Sequence, residues 1–331
     1  MEAQSPGACK TQVRVRRITV AATARLHFGF LDPSGRSKRP FGSFGLSLDR
    51  PATRLVLERA KATHATGPEH ERAERYLRAI AASSGIEPNF ALHLTEAIPP
   101  HAGLGSGTQL ALAVGSAFSA LAGLDLSPQE IARRLQRGGR SGIGIFTFEQ
   151  GGVVLDGGPG EGHALPELRA RLPFPPAWRV LLIFDADASG LAGASETAAF
   201  ATLPDFPEAE TAELCRRITE VALPALAACD FPTFCEQIGY LQARMGTYFA
   251  PLQGGPCTSP AVSAVLDWLR GRGLTGVGQS SWGPTGFAFV RSHAEGEALL
   301  NAVRARLHHP RVSFELAQGR NEGAKIETTA V

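Results

Sequence analysis

Residues 98–108 read Ile-Pro-Pro-His-Ala-Gly-Leu-Gly-Ser-Gly-Thr and lead into a run of small apolar residues, 109–121. The run is apolar on nearly every face, which predicts a buried central helix. A glycine loop that opens a helix presents backbone N–H groups at the positive end of the helix dipole, and these favour a phosphate. We therefore predict an anion-binding loop; a tight turn whose glycines serve only packing is the alternative. The predicted phosphate-binding residues are Gly103, Leu104, Gly105, Ser106, Gly107 and Thr108.

Two familiar phosphate-binding loops do not fit this stretch. A P-loop needs a lysine immediately before Thr108, and that position holds Gly107. A dinucleotide-binding loop needs the spacing G-x-G-x-x-G and an acid that closes the next strand. Here the spacing is G-x-G-x-G, and the acid at that distance, Asp125, comes just before a predicted helix. The loop therefore belongs to another class.

The composition is that of a globular protein with one large or two ordinary domains. The 331 residues are 44% hydrophobic and 19% charged, with a formal net charge of +2. That balance argues against a nucleic-acid partner. Residues 1–54, however, hold ten Lys or Arg and three acids. A local cationic region of this kind favours a compact anionic ligand.

Cysteine usage and apolar runs predict a reduced, cytoplasmic protein without a membrane partner. The five cysteines include no Cys-x-x-Cys pair, so neither a disulfide framework nor a zinc cage is expected. The first ten residues lack the apolar centre of a signal peptide. The longest apolar stretch, 110–124, is too short to span a bilayer.

Strand-like and helical patterns alternate in mixed order along the chain, which predicts an α+β protein of two lobes. The proline-rich segment 172–178 is the best boundary, giving domains 13–171 and 172–331. Residues 27–44 are punctuated by Gly, Pro and Ser and predict a loop. The sequence Ser127-Pro128-Gln129-Glu130 predicts a capped helix start.

Three segments resemble the signatures of the GHMP kinase superfamily of small-molecule kinases. Pro99-x-x-x-Gly103-Leu104-Gly105-Ser106 is similar to the first motif. Ser141-Gly142-Ile143-Gly144, with two glycines at 151–152, is similar to the second, and the glycine-rich stretch 276–286 to the third. The resemblance implies a GHMP-type two-lobe fold, with an N-terminal lobe like domain 2 of ribosomal protein S5 and a ferredoxin-like C-terminal lobe.

Two departures from the kinase pattern argue against phosphoryl transfer. Many of these kinases carry an aspartate that acts as base where this chain has Gly144. Several use a glutamate on the helix after the glycine loop to hold magnesium, and residues 109–124 contain no acid. The first motif also reads Ser106-Gly107-Thr108 where Ser-Ser-Ala is usual.

Four segments together resemble a narrower branch, the β-ribofuranosylaminobenzene 5′-phosphate synthases of methanopterin biosynthesis. They are 24–32 with 42–49, then Gly-Leu-Gly-Ser-Gly-Thr-Gln at 103–109, 141–158 and 278–289. The resemblance implies a decarboxylating pentosyltransferase. Such an enzyme joins 5-phosphoribosyl 1-pyrophosphate to 4-hydroxybenzoate or 4-aminobenzoate and releases pyrophosphate and CO2. No proton-abstracting base is needed, because the ring loses CO2 and not a proton.

Candidate site residues follow from this chemistry. We predict Arg25, His27 and Asp32 as catalytic, with a structural histidine and an Asx turn as the alternatives for His27 and Asp32. Arg36, Ser37 and Lys38 are predicted to lie in a cationic lid over the sugar phosphate, the alternative being a solvated loop. The remaining phosphate ligands are Ser141 and Gly142.

The benzoate and metal sites complete the set. Gln279, Ser281 and Trp282 are predicted to bind the benzoate, although a loop tryptophan is often a core residue. Asp49 and Asp156 are candidates for the Mg²⁺ that arrives with the pyrophosphate, with turn capping as the alternative for Asp156. We expect a homodimer and no organic cofactor. An ATP-dependent GHMP kinase and a non-catalytic phosphate-binding protein are the competing functions.

Overall fold

The computed structural model describes residues 15–34, 41–160, 165–191, 193–306 and 310–330. They form two antiparallel-rich sheets with helices packed against them. The strands are β1 Val15–Asp32, β2 Phe41–Arg59, β3 His64–Thr66, β4 Phe90–Glu96, β5 Val153–Asp156, β6 Leu168–Leu172, β7 Arg179–Asp185, β8 Val277–Gln279, β9 Gly286–Val290, β10 Val312–Ala317 and β11 Lys325–Ala330.

The helices fall into two groups in chain order. Those of the first lobe are α1 His70–Ser83, α2 Ser106–Ala122, α3 Pro128–Arg134 and α4 Ile143–Gln150. Those of the second are α5 Ala194–Thr202, α6 Glu208–Arg216, a π-helical segment Arg217–Ala222, α7 Leu223–Ala227, α8 Phe231–Gln253, α9 Pro260–Gly271 and α10 His293–Arg306. Within the described ranges, none of these helices combines the length and apolar character needed to cross a membrane.

The first sheet has seven strands, with the main order β11-β1-β2-β4-β3 and with β5 and β6 attached to β2. All pairings are antiparallel except that of β3 with β4. The last strand, β11, pairs with β1 and so returns the chain to the first lobe. This strand, together with β6 and α4, is absent from the sequence prediction.

The long β1–β2 hairpin replaces much of the loop predicted over residues 27–44. Strand β1 continues through His27 to Asp32, and β2 starts at Phe41. The register shifts between Thr23 and Arg25 and again between His27 and Gly29. Such bulges re-aim side chains within a strand, and here they lie beside the residues predicted as catalytic.

The second sheet has the order β10-β7-β9-β8 and is antiparallel throughout. Strand β7 is followed by helices, then by the β8–β9 pair, helix α10 and β10. This is the β-α-β-β-α-β arrangement of ferredoxin-like folds, with one helical layer enlarged. The predicted α+β class and two-lobe architecture are confirmed.

An aromatic cluster joins the two sheets beneath the cleft. Phe28 of β1 contacts Phe44 of β2, and its ring centroid lies 5.6 Å from that of Phe287 and 5.7 Å from that of Phe289 in β9. All four side chains are almost fully buried. Because they come from both lobes, this packing holds the lobes in one orientation and keeps the cleft between them in shape.

Replacing Phe28 with alanine should therefore lower the free energy of unfolding by about 3–5 kcal/mol, the usual cost of removing a buried phenylalanine. Urea unfolding followed by circular dichroism measures this. Ile326→Ala, at a side chain 44% exposed, is the matched control and should change the free energy by less than about 1 kcal/mol. Equal effects of the two substitutions would contradict the assigned role of Phe28.

Candidate active site

A cavity of about 770 Å³ opens between the lobes at the start of α2. Its size lies within the range of small-molecule sites. The lining residues come from β1, α1, the glycine loop, the 136–144 turn, the start of α5 and the 281–282 turn. Those predicted from sequence are Arg25, His27, Gly103, Gly105, Ser106, Gly107, Thr108, Ser141, Ser281 and Trp282.

The glycine loop delivers its amides into this cavity. Gly103 and Gly105 have φ angles of 76° and 81°, a region that favours glycine. Gly105 precedes the first turn of α2, whose start has no side-chain cap. The amides of Ser106 and Gly107, at the first two helical positions, therefore have no acceptor within the helix. They are available to an anion at the positive end of the helix dipole.

Arg25 lies under the glycine loop and ties it to β1. Its Nη1 donates to the carbonyl oxygen of Gly103 at 2.5 Å, and its backbone N–H donates to Leu104. The Nε atom is shielded from solvent and has no hydrogen-bond partner among the described residues. Burial lowers the pKa of Arg25 to about 10, and nearby Glu196 opposes this shift. The guanidinium is still charged at neutral pH and has donor capacity left for a ligand.

His27 presents a neutral imidazole to the cavity. The side chain is 3% exposed, and neither ring nitrogen has a hydrogen-bond partner among the described residues. Burial, reinforced by the positive charge of Arg25, lowers the pKa of His27 to about 3. Its backbone is held by the second lobe: its N–H donates to Ser280 Oγ, and its carbonyl accepts from the N–H of Ser281. This leaves the ring free to hydrogen-bond a ligand.

The second lobe supplies most of one wall of the cavity, which is a cluster of aromatic and charged side chains. Trp282 is 5% exposed and packs against Phe249 with ring centroids 4.5 Å apart, so it is a core residue that also lines the cavity. Its Nε1 donates to Glu196 at 3.1 Å. The same carboxylate forms an ion pair with Arg140 at 3.0 Å, and the Arg140 guanidinium lies over the ring of Phe200. This contact connects the 136–144 turn to α5.

Two further arginines line the cavity and were missed from sequence. Arg72 and Tyr76 face it from α1, and Arg137 faces it from the turn after α3. Arg72 is paired with Glu69 at 2.9 Å. The signal for Arg137 was its position between two phosphate motifs and directly before Gly138-Gly139. With Arg25 and Arg140, these two arginines bring four guanidinium groups to the cavity, and Arg72 and Arg140 are paired with carboxylates. The net positive charge is therefore that of Arg25 and Arg137, and it suits an anionic ligand.

The structure does not bring four of the predicted residues to the large cavity. Leu104 is fully buried in the core, and Gly142 donates its N–H to Asp156 Oδ2 at 2.7 Å, so that amide has an internal acceptor. Gln279 lies behind the wall, bonded through its side chain to Thr258 and Gln253. Asp32 accepts from both the N–H and the hydroxyl of Ser34, which is the Asx turn considered as its alternative.

The two aspartates proposed for magnesium also have structural partners away from the cavity. Asp49 accepts from the N–H of Gln318 at 2.8 Å and pairs with Arg50. Asp156 is 1% exposed and accepts from the amides of Ser43, Gly142 and Gly158 and from the hydroxyl of Ser141. Burial raises the pKa of Asp156 to about 6, and these hydrogen bonds oppose the shift. Asp156 thus caps the 141–143 turn, the alternative role for this residue.

The remaining prediction for this region, the lid of Arg36, Ser37 and Lys38, falls outside the described residues. Within the described ranges, no group of three His, Cys, Asp or Glu side chains is arranged to hold a metal ion.

Thr108 packs against Gly144, the position at which the kinase motif carries its base. A Cβ at Gly144 would lie 2.9 Å from Cγ2 and 3.2 Å from Cβ of Thr108, so a side chain would fit there only if Thr108 shifted. The helices that carry them, α2 and α4, are also fixed by a 2.8 Å hydrogen bond from Gln109 Nε2 to the Gly144 carbonyl. Thr108 and Gly144, which both differ from the kinase motifs, are therefore in contact with each other.

Comparison with known families identifies this two-lobe arrangement. Residues 71–152 match the GHMP kinases N terminal domain, and residues 222–309 match the GHMP kinases C terminal domain. Together these matches cover just over half of the chain, which belongs to the GHMP kinase family. The homoserine kinase of Cytophaga hutchinsonii has the same fold, with a TM-score of 0.66 over 97% of this chain and 100% of that one, at 17% identity.

Among curated proteins, the chain is similar to enzymes named beta-ribofuranosylphenol 5'-phosphate synthase. The Archaeoglobus fulgidus enzyme is 29% identical over 92% of this chain and 97% of its own length. The Methanothermobacter thermautotrophicus enzyme is 27% identical over 94% of this chain and 98% of its own. These relatives confirm the resemblance to this branch of synthases that the four segments indicated.

The lowered pKa of His27 should make stability depend on pH. The unfolded chain takes up a proton at this histidine below about pH 6.5, whereas the folded protein does so only near pH 3. The free energy of unfolding should therefore fall from pH 7 to pH 5 more steeply in the wild type than in His27→Gln. Urea unfolding at both pH values tests this. His64→Gln, at an exposed histidine, should keep the wild-type slope; an unchanged slope in His27→Gln would refute the neutral buried imidazole.

Asp156→Asn should destabilise the 141–143 turn. Four donors point at the two carboxylate oxygens, and an amide NH2 would face at least one of them with another donor. Each buried donor left without an acceptor costs about 1–3 kcal/mol, so thermal unfolding should show a clear loss. Asp267→Asn, at an exposed helix position, is the control. Wild-type stability in Asp156→Asn would exclude the capping role.

Proposed function

We propose that this chain is a β-ribofuranosylphenol 5′-phosphate synthase, a decarboxylating pentosyltransferase of methanopterin biosynthesis. It would join 5-phosphoribosyl 1-pyrophosphate to 4-hydroxybenzoate or 4-aminobenzoate and release pyrophosphate and CO2. The observation that carries the proposal is the charge of the cavity. Among the described lining residues there are four arginines and one carboxylate, Glu196, which is tied to Arg140 and Trp282. Such a cavity suits a polyanion, and among its described lining residues no acid is left unengaged to act as a base.

Departure of pyrophosphate is the step that the glycine loop can assist. The bond between C1 of the ribose and the pyrophosphate oxygen breaks, and its electron pair leaves with the pyrophosphate. Negative charge thus grows on the departing oxygen, where the Ser106 and Gly107 amides and the α2 dipole stabilise it. Ser106 is 7% exposed, and a low-dielectric setting of this kind strengthens such interactions.

Carbon–carbon bond formation needs an electron-rich ring held close to C1. The ring carbon that bears the carboxylate attacks C1, and the bond to the carboxylate then breaks. Its electron pair restores the aromatic ring, and CO2 leaves. Trp282 and Phe30 provide apolar surface for the ring, and the neutral imidazole of His27 can hydrogen-bond the substituent opposite the carboxylate. No step removes a proton from the ring, which is consistent with the lack of a carboxylate at Gly144.

The residues at the cavity do not fit a magnesium ion held by the protein. Mg²⁺ in proteins usually takes one or two carboxylates, and here Glu196 is engaged while Asp49 and Asp156 lie elsewhere. The arrival of Mg²⁺ with the pyrophosphate substrate stays a prediction. A homodimer and a cytoplasmic location also stay predictions.

The function is tested with pure protein, 5-phosphoribosyl 1-pyrophosphate and either benzoate labelled at the carboxylate carbon. Release of labelled CO2 together with an equal amount of pyrophosphate is the expected result, with the C-riboside 5′-phosphate identified by mass spectrometry. Arg25→Ala should lose turnover by orders of magnitude and so controls for contaminating enzymes. A parallel arm supplies ATP and small alcohols. ADP formation there with no CO2 in the first arm would replace the proposal with a kinase, and binding without turnover in either arm would indicate a non-catalytic protein.

A further inference from the structure

Backbone conformation does not explain why residue 107 is a glycine. It lies in the first turn of α2 with helical geometry, where any residue can stand. A Cβ at this position, however, would lie 2.7 Å from Nη2 of Arg137. The missing side chain therefore leaves space for the Arg137 guanidinium directly over the start of the helix.

Arg137 differs from two other arginines that line the cavity. Arg72 and Arg140 form ion pairs with Glu69 and Glu196. Within the described part of the chain, no carboxylate pairs with Arg137, and its Nε is buried without a hydrogen-bond partner. The side chain is only half-buried overall and faces the cavity. Its positive charge and the α2 amides are thus directed at the same space.

We propose that Gly107 and Arg137 form one unit that binds the leaving pyrophosphate, with Arg137 supplying the charge that a magnesium ion held by protein carboxylates would otherwise supply. The assignment rests on the proposed function in taking pyrophosphate as the leaving group. When the bond from C1 to oxygen breaks, the electron pair and the negative charge stay on the pyrophosphate. The Arg137 guanidinium receives no electrons and loses no proton; it donates hydrogen bonds to the phosphate oxygens.

The test is calorimetric titration of the full chain with inorganic pyrophosphate, once in EDTA and once in excess Mg²⁺. Wild type should bind in both buffers. Arg137→Ala should bind about 10- to 100-fold more weakly in EDTA, as expected for losing hydrogen bonds to a charged group. Gly107→Ala should show a similar loss, because the new methyl group displaces the flexible end of Arg137. Its melting temperature should stay at the wild-type value.

The double variant Gly107→Ala/Arg137→Ala separates a shared effect from two independent ones. If the two residues act as a unit, the double variant binds pyrophosphate as weakly as Arg137→Ala alone. If the methyl group instead blocks the helix amides, the two losses multiply, and the proposal fails. Arg133→Ala, at an exposed arginine of α3, is the matched control and should bind like wild type.

Wild-type affinity in Arg137→Ala would overturn the proposal, as would binding of pyrophosphate by the wild type only when Mg²⁺ is present. These outcomes are independent of carbon–carbon bond formation. The expected binding pattern without CO2 release would reject the synthase and keep the pyrophosphate unit. Normal CO2 release with unaltered binding in Arg137→Ala would reject the unit and keep the synthase.

Discussion

The cleft depends on one backbone carbonyl, that of Gly103. It accepts hydrogen bonds from Arg25 of the first lobe and from Ser280 of the second. Any Cβ on residue 103 would lie 2.2 Å from the carbonyl oxygen of Ser280 and 2.8 Å from that of Gly283. The glycine therefore allows the turn of the second lobe to pass against the loop of the first. Through this contact, the same backbone that presents amides to a phosphate also holds His27 and Ser281 in place.

The arginines at the cleft differ in how their charge is balanced. Arg140 and Arg72 are paired with carboxylates, whereas the described partner of the Arg25 guanidinium is the neutral carbonyl oxygen of Gly103, with Glu196 acting on it as a nearby charge. Burying a cation this way is unfavourable unless an anion arrives, which is why the pKa of Arg25 is lowered to about 10. The lost hydration of the Arg25 guanidinium is thus not fully compensated in the empty site. A bound polyanion compensates for it by pairing with the guanidinium.

Local sequence patterns predicted much of the fold. Most of the structure that they did not predict depends on pairing between distant segments. The capping box at Ser127 and Glu130 forms as its spacing predicts, and the glycine loop opens α2. The 27–44 segment looked like a loop because its glycines and prolines are turn formers, yet pairing with β2 extends β1 to Asp32. Of the site, motif spacing located Arg25, His27 and the loop. Arg137 carries a local signal in its position between two phosphate motifs, but the contacts of Arg137 and Glu196 with the cavity depend on packing between distant segments.

The return of β11 to the first sheet makes the second lobe an insertion within the first lobe. The chain leaves the first sheet after β6 at Leu172 and re-enters it at Lys325. Two covalent crossings, 173–178 and 318–324, therefore connect the lobes, and both carry contacts: Asn321 bonds Phe174, and Gln318 bonds Asp49. Asn321 also links the two crossings to each other, because its side chain accepts from the N–H of Phe174 and donates to the Phe174 carbonyl oxygen. The position of the second lobe is thus restrained at two separate places, by this paired connection and by the buried aromatic cluster around Phe28.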